Sequence, residues 1–194
     1  MMDIFLQLWG GLGYLLAKAL LAHAEGLRED RSWRIAGWSA YLIGLPAWVV
    51  LLAGKQNWIA AAIEAGGAPA LLLGLVSAWK RSAHTHKAAD WLVKACTGLM
   101  IAGGIAYSVY RFRGITALSQ GLEIGVTVGF LSGSYLLAKK NPFGWLLFAE
   151  MLIAMGVLMY IQDKRLLVFQ QGISLVFVIN GFIRARSKKI PDAQ

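Results

Sequence analysis

The sequence predicts an all-α, polytopic membrane protein with seven transmembrane helices in a 3+1+3 parallel-repeat arrangement. Of its 194 residues, 58% are hydrophobic and only 15% are charged, which is more apolar surface than a soluble domain can bury. Seven mostly apolar stretches are long enough to cross a hydrocarbon core of about 30 Å. Short motifs of the first three stretches recur in the last three, and one stretch lies between the two copies.

Each stretch is expected to be a helix, because backbone groups in lipid must form hydrogen bonds within their own segment. The first begins at the N-terminus, lacks a basic region before it and is too long for the core of a signal peptide, so it is expected to be retained. The predicted spans are 4–23, 35–53, 58–79, 89–110, 115–137, 144–161 and 166–183. They divide into a first three-helix repeat (4–79), a linker helix (89–110), a second three-helix repeat (115–183) and a basic tail (184–194).

The repeat rests on three recurring motifs. The sequence Tyr-Leu-Leu-Ala-Lys occupies 14–18 and returns at 135–139. Gly37-Trp38 returns as Gly144-Trp145, and Gly74 returns as Gly181, both 107 residues later. One span between the copies turns the second copy the same way up as the first, which is typical of transporters with a site between two halves.

Lysine and arginine are unevenly divided between the loops, and this sets the orientation. The loops on one side hold twelve of them and the loops on the other side hold five. Basic residues favour the cytoplasmic side, so the N-terminus is expected outside and the C-terminus inside, in a bacterial inner (plasma) membrane. The tail 184–194 is then expected to meet anionic lipid rather than nucleic acid.

Three carboxylates, those of Glu64, Glu123 and Glu150, lie away from the ends of the predicted spans, where a charge costs roughly 2.5–3.5 kcal/mol on insertion scales. Such groups usually face a partner or a cavity, so two interpretations stay open: hydrogen bonds that hold helices together, or a polar chamber for a cationic or hydroxyl-rich solute. The candidate substrate-binding residues are Glu64, Glu123, Trp145, Glu150, Gln170, Gln171 and Asn180. Gln120 lies at a similar depth.

Other polar and small residues have structural explanations. Asp90 and Lys94 are four apart on the fourth helix and are expected to pair. Lys18 and Lys139 are expected to extend their ammonium groups towards the interface. Gly121, Gly125, Gly129 and Gly133 leave one face of the fifth helix smooth for close packing. The pair His84 and His86 has no further ligand close in sequence, so no metal or cofactor is expected.

The C-terminal half resembles the PnuC-type nicotinamide riboside transporter family. The resemblance covers about 115–187 and rests on Glu123, Lys139-Lys140, the 145–148 sequence Trp-Leu-Leu-Phe and Asn180-Gly181. It extends more weakly over 9–81. In the family's pattern a second tryptophan occupies the place of Phe148, and a second tryptophan accompanies the counterpart of Trp79, so the resemblance implies a divergent member with altered specificity.

The resemblance implies a fold like that of the SWEET sugar transporters and facilitated diffusion of nicotinamide riboside or a related B vitamin. The sequence contains no hydrolase triad, zinc-protease or phosphate-loop motif, so an enzyme is not expected. Two alternatives remain, namely a SWEET-like carrier of sugars or amino acids and a membrane scaffold that transports nothing. The expected partners are the solute and the lipid bilayer, and a homo-oligomer is compatible with the sequence.

Overall fold

The computed structural model describes residues 2–27, 30–54, 58–80, 87–113, 118–161, 163 and 165–187. Seven helices account for nearly all of these residues. They are α1 (Met2–Glu25), α2 (Arg31–Gly54), α3 (Trp58–Trp79), α4 (Lys87–Phe112), α5 (Leu118–Ala138), α6 (Phe143–Ile161) and α7 (Arg165–Ser187).

All seven helices are long and apolar enough to cross a membrane, which confirms the predicted all-helical, multi-pass class. The helices extend beyond the predicted spans mainly at polar ends, because the helical hydrogen-bond pattern continues after the apolar stretch stops. Pro46 and Pro69 lie inside α2 and α3 without ending them. Proline is tolerated in such helices because neighbouring helices and local adjustments satisfy the freed backbone groups.

The order of helix contacts makes a closed circuit of six helices. Following it, α1 packs against α2, α2 against α3, α3 against α5, α5 against α6, α6 against α7, and α7 against α1. Helix α4 packs only against α3 and α5 within the part of the chain that the structure describes. Its side chains are consequently the least buried of the seven helices.

Close glycine contacts recur between α1·α2 and α5·α6. A Cβ added at Gly13 would lie 3.0 Å from the Gly44 Cα and 3.2 Å from the Ala40 carbonyl oxygen. A Cβ added at Gly129 would lie 2.7 Å from both the Met151 Cβ and the Leu147 carbonyl oxygen. Since 44 and 151, and 40 and 147, are each 107 apart, the two glycines contact corresponding positions of α2 and α6.

We call α1–α3 the first group and α5–α7 the second group. The third helices of the two groups, α3 and α7, also pack alike. A Cβ at Gly181 of α7 would lie 2.9 Å from the ring of Trp145, and a Cβ at Gly74 of α3 would overlap the ring of Trp38. The two tryptophans are almost fully buried rather than placed in an interfacial belt. Each glycine therefore provides the space that one large indole occupies.

These contacts correct the sequence-based register of the first helices. Gly13 and Gly129 are 116 residues apart, whereas the repeated Tyr-Leu-Leu-Ala-Lys motifs are 121 apart. In packing terms Tyr14 therefore corresponds to Phe130, and Lys18 corresponds to Ser134. The motif recurs at a different depth, because Tyr14 lies near the middle of α1 and Tyr135 lies in the last turn of α5.

The glycine face predicted on α5 packs against α6. A Cβ at Gly125 would lie 2.7 Å from Glu150 Oε1, and one at Gly133 would lie 3.3 Å from the Gly144 carbonyl oxygen. A Cβ at Gly121 would meet no atom within 4 Å. Three of the four glycines thus form the close approach of the two helices, and the fourth lies beyond it.

Candidate functional site

A hydrogen bond between two helices that do not pack directly lies at the centre of the first group of helices. Tyr14 Oη on α1 donates to Glu64 Oε2 on α3 at 2.8 Å. Tyr14 is buried, and Glu64 lies deep among the helices while keeping part of its surface accessible. The carboxylate is therefore held at membrane depth by a hydrogen bond that joins α1 to α3.

Aromatic rings from two other helices, α2 and α5, lie around the Tyr14 end of this hydrogen bond. The Tyr14 ring stacks on Phe130 of α5, with centroids 6.3 Å apart, and meets Tyr41 of α2 edge-on at 4.9 Å. Trp48 of α2 lies 6.2 Å from the same ring. Gly67 of α3 allows the approach of Phe130, because a Cβ there would overlap the Phe130 ring. Flat apolar faces thus line the polar centre.

Lys18 brings a second charge to the same place. Its side chain follows Tyr14 by one helical turn, and its Nζ lies 5.8 Å from the Tyr14 ring centroid. Only 4% of the residue is exposed, so the expectation that it reaches the interface is wrong. Lys18 and Glu64 both approach the Tyr14 side chain and do not form a direct ion pair with each other.

Two buried donors on side chains that pack near Tyr14 have no hydrogen-bond partner among the described residues. They are the hydroxyl of Tyr41 and the indole Nε1 of Trp48. Tyr41 is completely buried, and the Trp48 Nε1 would lie 2.9 Å from a Cβ added at Gly10 of α1. A buried polar group without a partner costs about 1–3 kcal/mol. The hydroxyls of Ser77, Ser134 and Ser174 are also buried without a partner among the described residues, but they lie singly on three different helices. We call Tyr14, Lys18, Tyr41, Trp48 and Glu64 the central cluster.

The second group of helices carries apolar or neutral residues at the corresponding positions. The glycine contacts show that corresponding residues of α1 and α5 differ by 116 in residue number. Corresponding residues of α2 and α6, and of α3 and α7, differ by 107. Both groups pack in the same manner, so the charges and hydroxyls of the central cluster are not needed for that packing. The counterparts of Tyr14, Lys18, Tyr41, Trp48 and Glu64 are Phe130, Ser134, Phe148, Met155 and Gln171.

Of the residues that the sequence singled out, only Glu64 lies in the central cluster. Trp145 is 1% exposed, and its Nε1 donates to Glu25 Oε1 at 3.4 Å rather than facing Glu64. Glu150 places its carboxylate on the glycine face of α5, between Gly125 and Gly129. Glu123 lies on an exposed part of α5.

The predicted amides also lie apart from one another. Gln170 Nε2 donates to the Gly11 carbonyl oxygen at 2.9 Å and so connects α7 to α1. Gln171 is half-buried near Gly156 of α6, and Asn180 lies on the exposed face of α7. Gln120, noted at similar depth, is buried and donates to Ser108 Oγ at 2.9 Å.

Four members of the central cluster were missed from the sequence. Tyr14 and Lys18 were noted as part of a repeated motif, but the motif alone gave no reason to place them beside Glu64. Tyr41 and Trp48 lie seven residues apart on one face of α2, a spacing that places two side chains on the same side of a helix. Two aromatic residues with polar atoms on one face of a membrane helix were the available signal.

A separate ionic network closes one end of the bundle, where α1 and α7 end and α2 and α6 begin; we call this the basic end. Arg34 Nη2 lies 2.9 Å from Glu25 Oε1, with only 6% and 9% of the two side chains exposed. Glu25 also accepts the hydrogen bond from Trp145, so a single carboxylate connects α1, α2 and α6. Asp30 is the second partner of Arg34.

Asp90 provides the corresponding connection between α4 and α5 at the basic end. The predicted pair with Lys94 is confirmed at 3.1 Å, and Lys139 Nζ lies 2.9 Å from the same carboxylate. Tyr135 donates to Asp90 at 2.9 Å as well. Lys139 is therefore an ion-pair partner rather than a residue extended into the interface. The pair His84 and His86 and the tail beyond Ser187 lie outside the described residues.

Comparison with known proteins leaves the site to be interpreted from its own geometry. No protein-family model matches the chain, and no curated protein or solved structure matches it at a significant level.

Proposed function

We propose that the chain is a membrane carrier for a small polar, vitamin-like solute, which binds at the central cluster and crosses by alternating access. The observation that carries the proposal is that the buried Lys18, the partly buried Glu64 and the unpartnered Tyr41 hydroxyl belong to side chains that all contact or approach Tyr14. Charged groups at membrane depth are costly and usually belong to a pathway for ions or solutes. The proposed site is therefore the central cluster, where these polar side chains lie together.

The packing supports a 3+1+3 arrangement of parallel repeats. In the circuit of contacts, α1 meets α7 and α5 meets α3, which is the relation expected if a two-fold axis along the membrane normal exchanges the two groups. The recurring glycine contacts have constant offsets, and α4 stands outside the circuit as a linker. In this proposal the basic end faces the cytoplasm, following the distribution of lysine and arginine.

The absence of these polar residues from the second group strengthens the functional interpretation. A group of helices with Phe130, Phe148 and Gln171 packs in the same way as a group with Tyr14, Tyr41 and Glu64. Stability therefore does not require the hydroxyls and the charges. Solute recognition does require them, since an apolar pocket needs a few polar groups to orient its ligand.

The resemblance stated from the sequence makes nicotinamide riboside the first solute to test, followed by thiamine, riboflavin and sugars. Uptake would be measured in vesicles reconstituted with purified protein. We expect Glu64→Gln to weaken the affinity by about five- to a hundred-and-fifty-fold, because loss of a buried charged partner costs about 1–3 kcal/mol. Tyr14→Phe should weaken it in the same direction.

Two further variants test whether the solute binds at the central cluster or at the larger set of substrate-binding residues predicted from the sequence. If a solute binds at the central cluster, Glu123→Gln and Asn180→Ala should change its affinity by less than about twofold, since both side chains lie on exposed faces. Equal loss in Glu123→Gln, Asn180→Ala and Glu64→Gln would instead support the larger chamber inferred from the sequence.

Two alternatives remain. A carrier of sugars or amino acids shares the architecture, and the same uptake panel distinguishes it by the solute that is taken up. The scaffold alternative is favoured by the hydrogen bonds of Gln120 and Gln170, which connect helices to each other. Failure of every solute in the panel to be transported or to stabilise the protein thermally would favour the scaffold over the carrier.

A further inference from the structure

Two contacts join the first and second groups of helices at the basic end. Glu25, at the end of α1, accepts the hydrogen bond from the Trp145 Nε1 in the first turn of α6 at 3.4 Å. Beside it the Arg184 side chain of α7 covers Gly26, since a Cβ added at Gly26 would lie 3.0 Å from the Arg184 Nη1 and 3.2 Å from its Cδ. Two helices of the second group are therefore joined to the end of one helix of the first group.

The interior is also most densely packed towards the basic end. The largest fully buried side chains among the described residues lie in the halves of α2 and α6 nearest this end, and they are Trp38, Tyr41, Trp145 and Phe148. Tyr41 and Phe148 meet across the two groups, with ring centroids 6.1 Å apart. Towards the other end, no described side chain before Gly10 in α1 or before Ser174 in α7 is buried. The closed part of the bundle therefore lies on the basic side.

The charges at the basic end allow the two groups to separate without exposing an unpaired ion. Glu25 is paired with Arg34 at 2.9 Å, and both residues belong to the first group. If the second group moved away, the carboxylate would keep its arginine, so the large penalty of a buried charge without a partner would not arise. Only the neutral indole N–H would leave, and a single hydrogen bond contributes modestly to stability. The ion pair can therefore stay with the first group while the contact with Trp145 forms and breaks.

We infer that the structure is a conformation closed at the basic end, and that the contact of Glu25 with Trp145 must break before the two groups can separate there and release a solute. The inference rests on the proposed function, because it assigns a closing contact to the proposed carrier. Alternating access between repeats is largely a rocking of one repeat against the other. The hydrogen bond from Gln170 to the Gly11 carbonyl oxygen joins the same groups about 21 Å away along α1, so they can stay in contact there while the basic end opens.

A distance measured across the basic end tests the inference without any solute. Spin labels on Ser32→Cys at the start of α2 and on Lys140→Cys before α6, in a Cys96→Ser background, report the separation of the groups in the purified full-length protein by pulsed electron paramagnetic resonance. Trp145→Phe removes the indole N–H and keeps an aromatic ring beside Gly181. We expect it to raise the ratio of the longer to the shorter label distance at least about threefold, the effect of losing one hydrogen bond.

Trp38→Phe is the matched control. Trp38 is the counterpart of Trp145 in the first group, 107 residues earlier, and its ring lies against Gly74 as the Trp145 ring lies against Gly181. It makes no hydrogen bond to the second group among the residues that the structure describes. The control removes the same atoms without releasing a contact between the groups, so its label distances should match those of the parent. Equal distance distributions for Trp145→Phe and Trp38→Phe would overturn the inference.

A reversible crosslink tests the same closure through transport and leaves the closing contact itself unchanged. A short bifunctional methanethiosulfonate would join Gly26→Cys to Arg184→Cys, across the two groups. The control pair His23→Cys and Trp33→Cys joins α1 to α2 within the first group, where the two native rings are 4.7 Å apart. For a solute that the uptake panel shows to be transported, the crosslink between the groups should abolish transport and chemical reduction should restore it. The crosslink within the first group should leave transport unchanged.

The outcomes separate this inference from the proposed function. If the crosslinked Gly26→Cys/Arg184→Cys protein transports as fast as the control pair, the closure inference is wrong while the carrier proposal stands. If no solute is transported by the unmodified protein, the carrier proposal fails, and the label distances alone confirm or overturn the closing contact. Should Trp145→Phe not fold, the double variant Glu25→Ala/Arg34→Ala removes the acceptor together with its ion-pair partner, and unchanged label distances in that variant would equally contradict the inference.

Discussion

Gly129 offers a quantitative test of how closely α5 and α6 pack. The change is Gly129→Ala, which adds only a Cβ. That atom would lie 2.6 Å from Glu150 Oε2 and 2.7 Å from both the Leu147 carbonyl oxygen and the Met151 Cβ. The carboxylate can rotate away, but a backbone oxygen and a Cβ can move only if the helices separate. Overpacking of this kind costs about 1–3 kcal/mol.

The same helix supplies two matched controls. At Gly125 the added Cβ would meet Glu150 Oε1 at 2.7 Å and only ordinary contacts otherwise, so a side-chain rotation can relieve the overlap. At Gly121 it would meet nothing within 4 Å. Replacing glycine by alanine in a helix interior also gains about 0.5–1 kcal/mol of conformational free energy. Gly121→Ala should therefore be neutral or slightly stabilising.

Thermal unfolding of the detergent-solubilised protein measures the three effects. At about 2–4 °C for each kcal/mol in a chain of this size, a net loss of about 1–2 kcal/mol lowers the midpoint of Gly129→Ala by about 2–8 °C. The expected order of destabilisation is Gly129, then Gly125, then Gly121. Equal midpoints for all three variants would show that the glycine face of α5 does not contact α6 as described.

Two further predictions concern the basic end and the topology. Arg34→Ala should destabilise the protein by about 3–5 kcal/mol, because it leaves Glu25 buried with its charge uncompensated. The control Arg165→Ala breaks an exposed ion pair and should change the stability by less than about 0.5 kcal/mol. Equal denaturation midpoints for the two variants would contradict this prediction. In a Cys96→Ser background, an impermeant thiol reagent added to intact cells should label Asp163→Cys and not Lys140→Cys, and the reverse pattern would invert the orientation proposed from the charge distribution.

The positions of the helices along the chain could be predicted from the sequence, whereas the hydrogen-bond and ion-pair partners of the polar side chains could not. Hydropathy determines where a chain can cross a membrane, so all seven helices contain nearly the predicted spans. Hydropathy does not determine rotation about the helix axis. Asn180 and Ser174 both lie in α7, yet the first is exposed and the second is buried, because packing against α1 and α6 covers only part of the helix surface.

The repeated Tyr-Leu-Leu-Ala-Lys motif shows how sequence identity can mislead about equivalence. Its two lysines differ in environment because they lie at different distances from the ends of their helices. Lys139 follows the last residue of α5 and reaches Asp90, whereas Lys18 lies a full seven residues before the end of α1 and is covered by its neighbours. The correct offset depends on glycine contacts between helices, which single-sequence comparison does not contain.

The difference between the two groups of helices has a consequence for the geometry of binding. A two-fold axis that passed between identical groups would offer any ligand two equivalent poses, turned by half a rotation. Here one group carries Lys18 and Glu64 and the other carries Ser134 and Gln171, so a solute bound as proposed would meet different side chains in the two poses. A molecule with two distinct ends would be held in a single orientation, with a stoichiometry of one per chain. A few differing side chains would then be enough for two similarly packed groups of helices to bind a molecule in one direction.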